Sequence, residues 1–277
     1  MLLQQVVMKK DSQHVCCNRP LISVVTVVYN GVRNIEQTIK SVINQVYENV
    51  EYIVIDGGST DGTVDVLKKY DSQIDYWDSV PDNGISDAMN KGVSHASGDY
   101  IIFIHADDYF ANNTTLSEAL ELAKNSNSQI LAFNILFLTA DKKYIKRPRP
   151  FNAWTLFKNP FPHQGMLCHK SLFDDIGCFE INLMFTADYD LLLKAYLRDV
   201  TVSRFDYAPV VMRDNGISSC RDWDVLRRRL SEERQVQRNN CNSKMMLFLY
   251  QLYWSCYLPY RYVRSQLERF PRIWQHR

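Results

Sequence analysis

The chain has 277 residues, room for one large domain or two small ones, and its 46% hydrophobic and 23% charged residues exclude a disordered polymer. No stretch approaches the roughly 20 apolar residues of a spanning helix. The net charge of +1 hides a split: residues 1–220 hold 20 Lys/Arg against 26 Asp/Glu, and residues 221–277 hold 12 against 5.

The start of the chain is apolar but broken by Gln4, Gln5, Lys9 and Lys10, so no secretory core is expected, and residues 1–19 read as a loose leader. Leu21–Tyr29 is a β-branched, mostly apolar run, which predicts a strand buried on both faces of a parallel sheet. Asn34 can cap a following helix whose inner face is Ile35, Ile39, Val42, Ile43 and Val46. Glu51–Ile55 predicts a second strand. A helix is expected from about Asp61 to Tyr70, with Val64 and Leu67 inward. A weaker strand over Ile74–Trp77, a helix over Ser86–Ala96 and a strand over Tyr100–Ile104 follow. This alternation defines an α/β fold with right-handed crossovers. Ligands of such sheets bind beyond the carboxyl ends of the strands.

After residue 110 the pattern changes. Asn113–Ser126 reads as a helix, Ile130–Leu138 as a strand and Tyr144–Pro150 as a basic edge strand. Phe151–Phe185 mixes Pro, Gly and aromatic residues as active-site loops do. Asp188–Arg198 predicts a helix and Thr201–Phe205 a strand.

Seven cysteines, an odd number without metal-type spacing, read as reduced thiols of a cytosolic protein. The candidate chemistry lies elsewhere. Asp56 ends an apolar strand before Gly57-Gly58-Ser59-Thr60-Asp61-Gly62, and it can accept from a nucleobase N–H or simply organise the turn. The loop is neither a Walker loop nor GxGxxG. In Pro81–Gly92, Gly84 breaks the chain, and Asp87 and Asn90 lie three apart, so both can face a ligand or serve as caps and a solvated face. Asp107-Asp108 follows YIIFIHA. Two adjacent carboxylates repel unless a cation intervenes, and hard oxygen ligands favour Mg²⁺ or Mn²⁺. Side chains alternate in an extended chain, so one carboxylate, by preference Asp108, can take the metal while Asp107 faces another part of the ligand. Asp188 at a helix start is either an N-cap or a general base held ionised by the helix dipole. His163 and Gln164 sit in Phe161-Pro162-His163-Gln164-Gly165. There a histidine can meet a diphosphate, a metal or an acceptor sugar, or be purely structural.

The ordered series SVVTVVYN, YIVIDGGSTDGT, PDNGISDAMNKG, GDYIIFIHADD, HQG, TADYDL and NGIS resembles glycosyltransferase family 2, most closely its bacterial exopolysaccharide and O-antigen members. The strong motifs span Leu21 to Asp108, and weaker ones reach Ser219. The resemblance implies a GT-A fold, with a Rossmann-like, mostly parallel sheet in a domain over residues 20–220. Residues 20–110 would be its nucleotide-binding half and 111–220 its acceptor half. It implies an inverting, metal-dependent transferase using a nucleotide-diphosphate sugar, with UDP the expected nucleotide. The acceptor would be polyprenyl-linked or a saccharide, in bacterial surface polysaccharide synthesis. By position, Asp56 matches the base-contacting Asp, and Thr26, Tyr29 and Asn30 match the end of the first strand that lines the nucleotide pocket. Gly84, Asp87, Asn90 and Asp107 complete the expected donor-binding set. His105-Ala106-Asp107-Asp108 falls on the DXD motif with His105 in its first acidic position, leaving Asp108 as metal ligand. Asp188 matches the catalytic base, although Ala187 stands where an acidic neighbour is usual. His163 and Gln164 are expected on the acceptor or the diphosphate.

The resemblance does not reach the basic tail, residues 221–277. Asp222–Asn240 predicts a charged helix. Met245–Leu258 predicts an apolar, aromatic-rich helix stopped by Pro259, about 21 Å long and short of a bilayer core. Flanking Lys244, Arg261, Arg264, Arg269 and Arg272 favour a peripheral contact with anionic lipid at the cytoplasmic face of the inner membrane. Packing on the chain's own domain, or on a second copy in a homo-oligomer, is the alternative. Nucleic acid is disfavoured because the acidic body repels phosphates. Two other classes compete with a glycosyltransferase. A sugar nucleotidyltransferase needs a basic Gly-rich triphosphate loop, where only Arg33 is on offer. A non-catalytic membrane-surface subunit is opposed by the presence of Asp56, Asp108 and Asp188.

Overall fold

The computed structural model describes residues 19–139, 142–214 and 222–269. All of the expected leader over residues 1–19 except Arg19, together with the NGIS motif, lies outside the described residues.

The first half alternates as expected: β1 (Ile22–Val28), α1 (Ile35–Ile43), β2 (Val50–Asp56), α2 (Thr63–Lys69), β3 (Tyr76–Ser79), α3 (Ile85–His95) and β4 (Tyr100–Phe103). The order β3-β2-β1-β4 is parallel throughout, with Val28 opposite Asp56 and Asp56 opposite Ser79. Every residue of β1 is buried, as a strand covered on both faces requires. α3 lies so close to β1 that a Cβ on Gly92 would stand 2.3 Å from Val25 Cγ1. Glycine there is a packing requirement. Strand 1, strand 2 and their neighbours thus bring three polar carboxyl ends to one edge.

The second half comprises β5 (Tyr109–Phe110), α4 (Thr115–Ala123), β6 (Ile130–Leu138), β7 (Lys143–Lys146), β8 (Met166–His169), α5 (Ser171–Ile176), α6 (Ala187–Leu197) and β9 (Val202–Arg213). It continues the same sheet as β4-β8-β6-β9-β5. Here β8 runs antiparallel to β4 and β6, and β6 is parallel to β9. One apolar core lies on each face, with Phe103, Leu191 and Leu192 in one and Ile22, Val54 and Ile102 in the other.

Several sequence expectations are corrected. Val46 is exposed beyond the end of α1, because the helix stops at Ile43. The Asn34 side chain makes no cap bond; the Gly31 carbonyl accepts from the Asn34 and Ile35 N–H groups instead. Val64 is only half-buried, whereas Leu67 is fully so. β9 runs eight residues beyond Phe205, past a register shift opposite Phe133–Ile135 that accommodates Asp206–Pro209. Within the expected loop 151–185 lie β8 and α5.

The tail forms α7 (Trp223–Asn239) and α8 (Lys244–Arg269). Pro259 does not stop α8, which continues for 26 residues, about 39 Å. Among the described residues no helix is long and apolar enough to cross a membrane. α8 packs one face on the rest of the chain. Leu226, Leu230, Tyr250 and Trp254 form a small core with Phe157 and Tyr253 alongside. The buried Gln237 ties it down: its Nε2 donates to Phe157 O at 3.1 Å and to Tyr189 Oη at 3.2 Å, and its Oε1 accepts from Trp254 Nε1 at 2.6 Å. The opposite face exposes Met245, Phe248, Leu252, Tyr260, Val263 and Leu267 at helical spacing.

Among the described residues Cys168, Cys178, Cys241 and Cys256 are free thiols. Burial holds the Cys168 thiol protonated, pushed up to about 12.

Candidate active site

The β1 and β2 ends are stitched together by polar turns. Asp56 is fully buried. Its Oδ2 accepts from Ser59 N at 2.9 Å, Gly58 N at 3.2 Å and Ser79 Oγ at 2.6 Å, and its Oδ1 accepts from Ser59 Oγ at 2.5 Å. A carboxylate has about four acceptor positions per pair of oxygens, so the turn uses most of them. Asn30 has φ +50°, its Oδ1 accepts from Thr60 N at 2.9 Å, and its own N–H donates to Ser59 Oγ at 2.7 Å. These contacts lock the two loops together and leave the Tyr29 side chain exposed at their rim.

Two expected donor-site residues are placed elsewhere. Thr26 is fully buried two residues before the end of β1, with its Oγ1 3.2 Å from Tyr52 Oη. It belongs to the sheet interior. Asn90 spends its amide on the backbone of Phe179, donating to its O at 2.8 Å and accepting from its N at 2.9 Å. That clamp anchors the loop before α6. Asp87 Oδ2 accepts from Asn83 N at 2.9 Å and lies 3.7 Å from Lys91 Nζ, shaping the turn into α3. Gly84 opens that turn at φ +108°, ψ 176°, a conformation essentially restricted to glycine, and its carbonyl starts the helix.

Beyond β4 the chain turns sharply through His105–Asp108. Thr38 of α1 holds this turn, its Oγ1 donating to Ala106 O at 2.9 Å and to Asp108 O at 2.7 Å. Arg213, at the end of β9, donates through Nη1 to Asp107 O at 2.6 Å and stacks over Tyr109. Asp108 is 2% exposed. Burial, and then the Asp107 charge, push its carboxyl well above the usual carboxylate range, opposed by Gln164 and Arg213. Burial raises Asp107 as well. Gln164 is buried with its Oε1 unpartnered.

Two further elements complete the cluster. The short 3₁₀ turn His163–Gly165 brings His163 Nε2 within 2.6 Å of His105 Nε2. Helix α6 begins with Asp188, whose Oδ2 accepts from Asn159 Nδ2 at 3.0 Å and lies 3.7 Å from His163 Nδ1. Its Oδ1 accepts from Tyr189 N at 2.7 Å. The structure therefore unites His105, Asp107, Asp108, His163, Gln164 and Asp188, which span 84 positions of sequence. Asn159 and Arg213 join them, and sequence reasoning missed both. Arg213 had a signal, a lone cation closing an apolar strand; Asn159 had none. A cavity of about 230 Å³, lined by Arg149, Trp154, Thr155, Lys158 and Pro160, adjoins Asn159.

This α/β sheet, with its acidic groups gathered at the carboxyl ends of β2 and β4, has the GT-A fold of glycosyltransferases. Among solved structures it superposes on S. aureus TarS 1–349 in complex with UDP with TM-score 0.63 at 19% identity, covering 84% of this chain and 72% of that one. It matches the mannosyltransferase PcManGT from Pyrobaculum calidifontis, in complex with GDP-Man and Mn²⁺, with TM-score 0.64 at 16% identity, covering 90% and 74%. The sequence profile "Glycosyl transferase family 2" matches residues 23–186, and the chain belongs to that family. An uncharacterized glycosyltransferase of Mycobacterium tuberculosis is 35% identical over 183 residues, 64% of this chain and 70% of that protein. A PGL/p-HBAD biosynthesis glycosyltransferase of Mycobacterium bovis is 25% identical over 198 residues, 69% and 75%.

Proposed function

We propose that this glycosyltransferase moves a sugar from a nucleoside-diphosphate sugar, a UDP-sugar, to a hydroxyl of a polyprenyl-linked or saccharide acceptor, inverting the anomeric centre. The observation that carries the reading is the placement of two acidic groups with unlike surroundings around one cluster: the Asp107–Asp108 pair, half-buried and buried in turn, and the partly open Asp188. The structurally similar TarS with UDP and PcManGT with GDP-Man support the donor class.

The donor would lie across the ends of β1, β2 and β4. Asp56, buried beneath the Gly58–Ser59 turn, would reach a base N–H through Oδ1 only once that turn opens on donor binding, with the Tyr29 ring flanking the base and the backbone at Asn30 and Gly84 shaping the walls. Asp87 and Asp107 border the ribose and diphosphate side. Two adjacent carboxylates, one of them almost fully buried, are poorly stable as anions without a cation, so this donor set fits Mg²⁺ or Mn²⁺. Among the described residues no three His, Cys, Asp or Glu side chains cluster into a self-sufficient metal cage. Asp108 would hold the ion jointly with donor phosphate oxygens and water, as such ions prefer. When bound, the metal would neutralise charge on the leaving diphosphate.

Asp188 would act as general base. Its carboxylate is oriented by Asn159 and by its own helix N-terminus, and the acceptor would approach from the cavity lined by Lys158 and Pro160, the residues on either side of Asn159. Lys146 brings positive charge to the same side. Holding donor and acceptor in line converts attack at the anomeric carbon into an intramolecular displacement.

A thermal-shift panel of nucleotide sugars with and without Mn²⁺ tests the reading. One UDP-sugar is expected to raise the melting temperature by roughly 5 °C at about 100 times its Kd, and only with Mn²⁺. A panel in which no nucleotide sugar shifts the transition, with metal or without, would overturn it.

The outward stripe of α8 is the proposed membrane contact. It would lie in the interface of an anionic leaflet with its other face held by Tyr250 and Trp254. The wild-type chain is expected to co-sediment with phosphatidylglycerol/phosphatidylethanolamine vesicles. The double variant Phe248→Glu, Leu252→Glu leaves the docked face untouched and should partition at least about tenfold less. Equal sedimentation of the two would reject the contact.

A further inference from the structure

His105 stands at the first acidic position of the metal-binding motif, yet its one hydrogen-bonded atom points toward the base. His105 is 7% exposed, and its Nδ1 is buried without a hydrogen-bond partner. Its Nε2 meets His163 Nε2 at 2.6 Å, with the rings 4.6 Å apart and tilted by 58°. A bond between two Nε2 atoms holds one proton, so one ring donates it and the other accepts it.

The surroundings decide between them. If His163 donated, its Nδ1 would be a bare lone pair 3.7 Å from the Asp188 carboxylate, two acceptors facing each other. At the same time His105 would carry its proton on Nδ1, a buried atom without a partner, leaving an orphaned donor. If His105 donates, its buried Nδ1 is left as a bare acceptor rather than an orphaned donor, and the clash of two acceptors at Asp188 is removed. His163 then carries its proton on Nδ1, directed at Asp188. At 3.7 Å this is an electrostatic contact rather than a hydrogen bond, so the sign of the atom facing the carboxylate is what counts.

We infer that His105 fixes His163 in its Nδ1–H tautomer, and that His163 together with Asn159 orients the Asp188 carboxylate for proton abstraction. His105 and His163 are thus positioning residues, and the first motif position has been transferred from the donor side to the support of the base. The Asp188 carboxylate is held by Tyr189 N–H through Oδ1 and by Asn159 through Oδ2, and the His163 Nδ1–H dipole faces that same Oδ2. This inference rests on the proposed role of Asp188 as base.

The test uses the full chain labelled with ¹⁵N-histidine. Long-range ¹H–¹⁵N correlation spectra without donor or metal should show His163, identified by its loss in His163→Gln, protonated at Nδ1 with an accepting Nε2. A His163 protonated at Nε2 in the wild type would overturn the inference outright. His105→Ala should shift His163 toward the Nε2–H form and lower kcat about tenfold, with KM for the nucleotide sugar returned by the panel unchanged. His105→Gln, which keeps an N–H donor in reach of His163, should recover both the spectrum and most of kcat. An unchanged His163 spectrum in His105→Ala overturns the hydrogen bond, whatever kcat does. A changed spectrum with unchanged kcat overturns the positioning role while the bond between the rings stands, and Asp188→Asn tests the base role separately.

Discussion

Asp188→Asn should lose about 10³-fold in turnover while binding its nucleotide sugar within twofold of the wild type. The asymmetry follows from position. Asp188 opens α6 beside Asn159 and the cavity, whereas the donor side is built on β1, β2 and β4. Asparagine has nearly the same shape, and its single oxygen can still accept from Asn159. The lost acceptor at Tyr189 N costs on the order of 1 kcal/mol of stability, too little to unfold the chain. The loss would therefore be chemical, because an amide cannot take a proton from an acceptor hydroxyl. Steady-state release of nucleoside diphosphate, alongside donor titration by calorimetry, checks both halves. Near-normal turnover would remove Asp188 from the base role.

The second large effect separates stability from binding. Asp108→Asn is expected to weaken Mn²⁺-dependent binding of UDP by at least about 10²-fold, measured by calorimetry with and without the ion. In the metal-free protein the same change should leave the melting temperature unaltered or raise it by a few degrees. The reason is the unfavourable burial of the Asp108 carboxylate against Asp107, which only partners such as Gln164 and Arg213 relieve. A neutral amide removes that repulsion. A variant that binds UDP with unchanged metal dependence would refute the role of Asp108, and a strongly destabilised one would mean that the carboxylate serves the fold instead.

Much of the nucleotide-binding half was legible because its strands announce themselves. Ile22–Val28 and Val50–Asp56 are continuous β-branched or aromatic runs that only a sheet covered on both faces can bury, and a polar residue follows each. The second half was less legible for local reasons. Asp206–Pro209 looks like the end of a strand but is absorbed by a register shift in β9, and Pro259 looks like a stop but is carried inside α8. Motif position alone does not show how a side chain is spent. Thr26 and Asn90 occupy expected places along the chain, yet one side chain is spent on Tyr52 and the other on Phe179. The pairing of His105 with His163 crosses 58 positions and depends on how a 3₁₀ turn abuts the end of β4. No local periodicity encodes such a contact.

The buried amide of Gln237 has a bearing on how the two ends of the chain communicate. It spans Trp254 on one side and Tyr189 on the other, and Tyr189 is the residue after the expected base. Removing the last helix would strip Gln237 of its indole partner and slacken the first turn that presents Asp188. The last helix and the first turn of α6 are therefore mechanically linked, and a shortened chain that fails to act can have lost the alignment of its carboxylate.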